Sequence, residues 1–384
     1  MTRGSVYDVA VIGAGVFGAW TAYLLRGAGA SVILIDQYGA GNKRASSGGE
    51  TRIMRTGYGA DEIYTRSAAR SLELWRRLSD AIGQTLFHQT GVLWLARDKD
   101  AYSTNTLAVF EGSNVAFERL TQAELRARFP QIELGPISWA IFEKQAGVLM
   151  ARRGVRAVVE AAVREGVKYV NKSVVSPSNS ERLQSVTTTD GEHITASTFV
   201  FACGPWLPKV FSESLRPLFQ ITRQEVFYFG PFAGDRRFAP PAMPVWIDFS
   251  DLVYAIPDIA GSGFKVAIDA HGPEFDPDSG DRSVTGDGLA AVRKYVSMRI
   301  PALSDAPLLG SEVCQYENTS NGDFLIDRHP NFENIWLVGG GSGHGFKHGP
   351  AVGEYLVGQL SGEGEAEPRF SLASKETIHQ RSVY

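Results

Sequence analysis

The strongest constraint on the fold lies near the N-terminus. An apolar run, Val9 to Ile12, passes directly into Gly13-Ala-Gly15-Val-Phe-Gly18 and then into helical apolar spacing at Trp20, Tyr23 and Leu24. A second apolar run, Val32 to Ile35, ends on Asp36. Each piece has a mechanical reason. Gly13 permits the tight turn, Gly15 lets backbone approach a diphosphate, and Gly18 lets helix pack on strand. The helix start then offers unpaired N–H groups and the positive end of its dipole. Asp36 can accept hydrogen bonds from ribose hydroxyls. Strand, glycines, helix, strand and acid in register predict a βαβ unit that binds a dinucleotide, FAD or NAD. The alternative is a glycine-rich turn in some other α/β unit.

A chain of 384 residues is too long for one compact core and points to two domains. A net charge of −4 leaves no footprint for nucleic acid or an anionic membrane. No apolar run reaches the ~20 residues needed to span a bilayer. The run Val9 to Trp20 imitates a signal-peptide core, but Asp8 interrupts its flank and its glycines already serve the turn. Two cysteines, Cys203 and Cys314, cannot make a disulfide framework and fit a reducing cytoplasm. The closing Arg-Ser-Val-Tyr384 carries no readable address. The expectation is a cytoplasmic protein, monomeric or a weak homo-oligomer.

A polar loop, Gly39 to Glu50, leads into Thr51-Arg52-Ile-Met-Arg55. Apolar spacing predicts a helix over Asp61 to Leu78 and a strand over Gly91 to Ala96. Thr121 and Glu124 form a capping-box start. A helix over Ala151 to Glu165 feeds strands at Val167 to Val170 and Thr198 to Ala202. From Pro217 to about Ser320 the pattern turns to strands: Glu225 to Phe229, Val245 to Phe249, Leu252 to Ile256 and Phe264 to Ala270. Then Asn334 to Val338 enters Gly339-Gly-Gly-Ser-Gly-His-Gly-Phe-Lys347, with a helix from about Gly349 to Leu360. This late strand–glycine–helix unit repeats the logic of the N-terminus. The expected fold is α/β with two domains: a Rossmann-like cofactor domain with an inserted, mainly antiparallel β substrate domain. The cofactor domain takes residues 1–85, 147–216 and 321–384; the substrate domain takes 86–146 and 217–320.

Four constellations are candidates for chemistry. In Phe264 to His271 the alternation puts Lys265, Ala267, Asp269 and His271 on one face. That face is either the wet side of an antiparallel sheet or the wall of a pocket with a cation aimed at the cofactor. Arg52 and Arg55 follow the cofactor loop and can anchor a carboxylate through their planar forks, or serve as ordinary surface arginines. His344 and His348 stand four apart, but glycines between them and the lack of a third ligand argue against metal. Gly341-Ser-Gly343 does not complete a nucleophile elbow.

Cys314-Gln-Tyr316, Asp323-Phe-Leu-Ile-Asp-Arg-His329-Pro330 and Gly341-Ser-Gly-His-Gly-Phe-Lys347 resemble the monomeric sarcosine oxidase group. That group belongs to the D-amino-acid-oxidase-like FAD amine oxidases, with N-methyltryptophan, pipecolate and fructosyl-amino-acid oxidases. Glu50-Thr-Arg52-Ile-Met-Arg55 and the segment Tyr254…Pro257…Lys265 resemble it too. The likeness runs from about residue 6 to 362.

The resemblance implies FAD, held at Gly13, Gly15, Gly18, Asp36, Gly343, Gly345 and Lys347, and covalently through a thioether from Cys314 to the flavin 8α-methyl carbon. It implies that Lys265 promotes reaction with O2, Arg55 and Lys347 clamp a substrate carboxylate, Arg52 lies beside the flavin, and Tyr254 and Tyr316 line the pocket. A small-molecule secondary amine would lose a hydride to the flavin, giving an imine, while O2 becomes H2O2. One departure stands out. Where sarcosine oxidases carry a histidine four residues after the lysine, this chain has Asp269, as fructosyl-amino-acid oxidases do. Either Asp269 faces a polar substrate group, or His271 substitutes locally. The rival readings are an FAD dehydrogenase and a flavin subunit of a larger assembly.

Overall fold

The computed structural model describes residues 6–177 and 181–376. The closing tetrapeptide, where no address could be read, lies outside them. The N-terminal motif folds as its glycines require. The strand Tyr7–Ile12 leads through the turn into the helix Val16–Gly27 and the strand Val32–Asp36. Residues 9–12 and 32–35 are buried, as a strand covered on both faces demands.

A seven-stranded sheet grows around this unit in the order Leu325–Arg328, Ile335–Gly339, His193–Phe201, Tyr7–Ile12, Val32–Asp36 and Lys168–Asn171, with Ser185–Thr187 paired to His193–Phe201. The four pairings from Ile335–Gly339 to Lys168–Asn171 are parallel. The helix Gly349–Ser361 and the amphipathic helix Ala151–Arg164 pack against Val16–Gly27. In such a sheet, ligands bind beyond the carboxyl ends of the strands.

The second sheet has eight strands in the order Leu308–Thr319, Phe219–Phe229, Phe264–Ile268, Val253–Ile256, Val245–Asp248, Val92–Arg97, Ile137–Glu143 and Glu118–Thr121. All its pairings are antiparallel except Val245–Asp248 with Val92–Arg97. A small third sheet joins Thr51–Met54, Gly147–Met150 and Phe87–His88. This is the mixed, two-domain α/β fold expected. Among the described residues no helix is long and apolar enough to cross a membrane.

Several elements differ from expectation. The region from Pro217 to Ser320 also holds a helix, Gly286–Arg299, and Ala101–Gly112 is helical as well. The strand Phe264–Ile268 stops short of Asp269. Its polar face is not the wet side of a sheet, since Lys265 and Ala267 are each 1% exposed. The strand Thr51–Met54 covers that face, and Lys265 Nζ donates to Thr51 O at 3.2 Å.

Candidate active site

Two adjoining cavities open between the sheets. The first, about 370 Å³, runs from Asp36 past Gly13 and Gly15 to Arg52, Cys314 and Tyr316, with Gly343 and Gly345 in its wall. Gly13 has φ +105°, and a Cβ there would sit 2.2 Å from Ala202 O. A Cβ on Gly18 would sit 1.9 Å from Gly13 O. Gly13 and Gly15 thus face the cavity, whereas Gly18 serves the packing of the helix onto the turn.

The Asp36 carboxylate accepts from the N–H groups of Ala14 at 2.7 Å, Tyr38 at 2.8 Å and Gly39 at 2.7 Å, which fix its aim. Gly15 stands at the helix N-cap with no side chain to cap it, and Ser47 Oγ accepts from Val16 N at 3.1 Å. The donor set fits FAD. Asp36 suits a ribose, the helix start suits a diphosphate, and Arg52 with Cys314 suits the ring at the far end.

The second cavity, about 320 Å³, shares Arg52, Cys314, Tyr316, Gly343 and Phe346 with the first. Arg55, Tyr254, Asp269 and Lys347 are in its polar lining, with Arg152, Glu225, Arg282 and Glu312 among the other charged groups there. Lys347 lines this cavity and not the first, so the expected cofactor contact from Lys347 is not part of the cofactor cavity wall. Lys265 lines neither; it is buried behind, with Nζ 5.7 Å from the Tyr254 ring and 5.9 Å from the Tyr228 ring. His271 stands at an exposed position outside both linings, so Asp269 is the group that faces the cavity.

Each side chain is held. Arg52 donates to Thr51 O at 2.8 Å, to Ser46 O at 2.7 Å and to Cys314 Sγ at 3.2 Å. Both cysteines are free thiols. The Arg55 guanidinium lies 4.3 Å from the Tyr58 ring centre and 5.0 Å from that of Trp94, and donates to Gly57 O. Lys347 Nζ donates to His344 O at 2.8 Å and sits 5.2 Å from the Tyr58 ring. The Tyr58 hydroxyl in turn meets His348 Nε2 at 2.7 Å and His344 Nδ1 at 3.1 Å. The two histidines, spaced like metal ligands in the sequence, therefore converge on a tyrosine beneath the two cations.

The charges are tuned by burial. Burial, followed by the Arg52 charge, pushes Lys265 down to about 7, while Cys314, Glu312 and Glu50 act the other way. Burial pushes Asp269 up to about 6, against the hydrogen bond from Tyr316 and the charges of Arg55, Lys347 and Lys265. The sequence reading missed Tyr58 and Glu143. Glu143 accepts from Thr56 N at 2.8 Å, Thr56 Oγ1 at 2.6 Å, Gly57 N at 3.1 Å and Trp94 Nε1 at 2.5 Å, and so clamps the turn that carries Arg55. Tyr58 stood three residues after Arg55, a spacing that could have drawn notice. Glu143 had no local signal at all.

Known proteins share this arrangement of chain. Monomeric sarcosine oxidase from Arthrobacter sp. (strain TE1826) is 30% identical, covering 97% of this chain and 98% of its own. Peroxisomal sarcosine oxidase from Homo sapiens is 31% identical over 91% of each chain. The crystal structure of L-proline dehydrogenase from P. horikoshii superposes with a TM-score of 0.86 at 22% identity, over 98% of this chain and 100% of that one. The model of the FAD dependent oxidoreductase family matches residues 8–359. A match of that extent, on a chain whose first cavity suits a flavin dinucleotide, makes this protein a member of the FAD dependent oxidoreductase family.

Proposed function

We propose that the protein is an FAD-dependent oxidase of secondary amines, acting on N-alkyl amino acids of the sarcosine-like or fructosyl-amino-acid-like kind. The observation that carries this reading is the pair of cations, Arg55 and Lys347, both lining the cavity that adjoins the cofactor cavity at Cys314 and Tyr316. Two buried cations in one wall suit a carboxylate, because a charge-assisted fork holds it where water is scarce. Bound FAD supplies the hydride acceptor and passes the electrons on to oxygen.

The chain's own groups do the rest. Arg55 and Lys347 orient the substrate acid, so that the carbon beside nitrogen faces the shared wall. Tyr254 and Tyr316 close the sides. Asp269, ionised above about pH 6, would accept hydrogen bonds from a cationic or hydroxyl-bearing substituent. Lys265 would place positive charge where reduced oxygen develops negative charge. Arg52 would polarise the ring end, and Cys314 Sγ, on the wall of both cavities, would form the thioether.

The strands of the two large sheets support the boundaries 1–85, 147–216 and 321–384 for the FAD domain and 86–146 and 217–320 for the substrate domain, since each sheet draws its strands from one set. Two free thiols support a cytoplasmic protein, here taken as a monomer or weak homo-oligomer. Kinship with sarcosine oxidases favours an oxidase over a dehydrogenase; at 22% identity the proline dehydrogenase speaks for the fold alone.

Oxygen uptake and peroxide formation by the purified chain test the proposal. N-methyl and fructosyl amino acids are compared with the same amines lacking a carboxylate. Turnover of the acids alone is expected. Equal oxidation of the decarboxylated amines removes the clamp, and no oxygen uptake with any of them removes the oxidase.

A further inference from the structure

Glu317 has no place in the reading above. It lies on the strand Leu308–Thr319, three residues beyond Cys314, and lines the cofactor cavity. The residue is 6% exposed, and its Oε1 is buried with no hydrogen-bond partner. A buried carboxyl oxygen without a partner is costly, more so if charged, so something must compensate for it. Its surroundings are shaped to admit it. A Cβ on Gly339 would come within 2.6 Å of Glu317 Oε1, so the glycine leaves the carboxyl its room. Ser342 N donates to Glu317 O at 2.9 Å, tying the glycine loop to this point of the strand. Gly339 ends its parallel strand, which is where ligands of such sheets bind. Glu317 lines the same cavity as the ribose-suited Asp36 and the ring-suited Arg52 and Cys314.

We propose that Glu317 is a cofactor-holding residue that acts as a protonated acid, donating a hydrogen bond to an oxygen of the ribityl–diphosphate stretch of FAD. An ionised carboxylate would repel a diphosphate; the neutral acid supplies the donor that phosphate and hydroxyl oxygens accept. Its environment agrees: burial pushes Glu317 up to about 8, and backbone hydrogen bonds from Gly340 and Gly341 to the carboxyl only partly oppose this. The inference rests on FAD occupying the first cavity.

The test uses the full chain carrying Cys314→Ser, so that FAD binding is reversible, and titrates apoprotein by flavin fluorescence. Glu317→Gln keeps a donor of the same shape and is expected to bind FAD within about threefold of its parent. Glu317→Ala should bind about tenfold more weakly, the worth of one hydrogen bond, while the apoproteins melt alike. Infrared difference spectra, bound minus free, should show a protonated-carboxyl C=O band that is missing from Glu317→Gln. Unchanged FAD affinity in Glu317→Ala overturns the inference. So does absence of the carboxyl band, or full rescue by Glu317→Leu, which marks a packing role. Failure of the parent itself to bind FAD instead removes the reading of the cavity on which the inference stands.

Discussion

The Tyr316 hydroxyl donates a 2.6 Å hydrogen bond to Asp269 Oδ1, joining the strand that carries Cys314 to the end of the strand that carries Lys265. This bond holds a carboxylate that feels the charges of Arg55, Lys347 and Lys265, and it lowers the Asp269 pKa against the larger effect of burial. Tyr316→Phe removes that donor. The acid limb of kcat/KM for an N-alkyl amino acid should then move from near pH 6 to higher pH by about one unit. An unmoved limb would mean that Asp269 does not govern it.

The same carboxyl makes stability depend on pH. Its folded value of about 6 lies above its ordinary value of 3.8, so protonation favours the folded form. The stability it contributes is complete below about pH 4 and is lost as pH rises through 6, in total up to about 3 kcal/mol. Asp269→Asn has no such dependence. Urea unfolding should therefore show the variant gaining on wild type between pH 4 and pH 7.5. A constant difference across that range counts against a buried, titrating Asp269.

Lys265 titrates in the opposite sense. Its folded value of about 7 means that it loses its charge as pH rises through neutrality. Stopped-flow reoxidation of the reduced flavin should slow as pH climbs past 7, while anaerobic reduction by substrate keeps its own profile. Lys265→Met should slow reoxidation by about 100-fold or more and flatten that pH dependence. Equal loss in both half-reactions would sink the role assigned to this lysine.

Why some of this was legible in the sequence, and some not, comes down to locality. The glycine turn, Asp36 and the capping box at Thr121 and Glu124, whose reciprocal bonds are both present, depend on neighbours a few residues away. The helix Gly286–Arg299 was missed because Arg299 is on its buried side: the guanidinium is 1% exposed and donates to Asp248 Oδ2 at 2.8 Å. A buried charge erases the apolar stripe that marks a helix. The strand Leu308–Thr319 buries Gln315, Glu317, Asn318 and Thr319, so although the region from Pro217 to Ser320 reads as strand-rich, no apolar alternation marks out this strand within it. Glu143 acts on a turn 86–87 residues away, beyond the reach of any spacing argument.

Arg55 and Glu143 give a paired test of the clamp. Arg55→Ala removes one arm of the fork and should raise KM for amino-acid substrates by about 2–4 kcal/mol of lost charge-assisted bonding. Arg55→Lys should recover little, because a point charge lacks the planar fork and its stacking between Tyr58 and Trp94. Glu143 lines neither cavity; it fixes the turn at Thr56 and Gly57 and holds the Trp94 indole N–H. Glu143→Gln keeps the shape but weakens the charged acceptor that gathers four donors. KM should then rise with kcat nearly unchanged, accompanied by a lower melting temperature. A fall in kcat at unchanged KM would place Glu143 elsewhere in the chemistry and dissolve its link to Arg55.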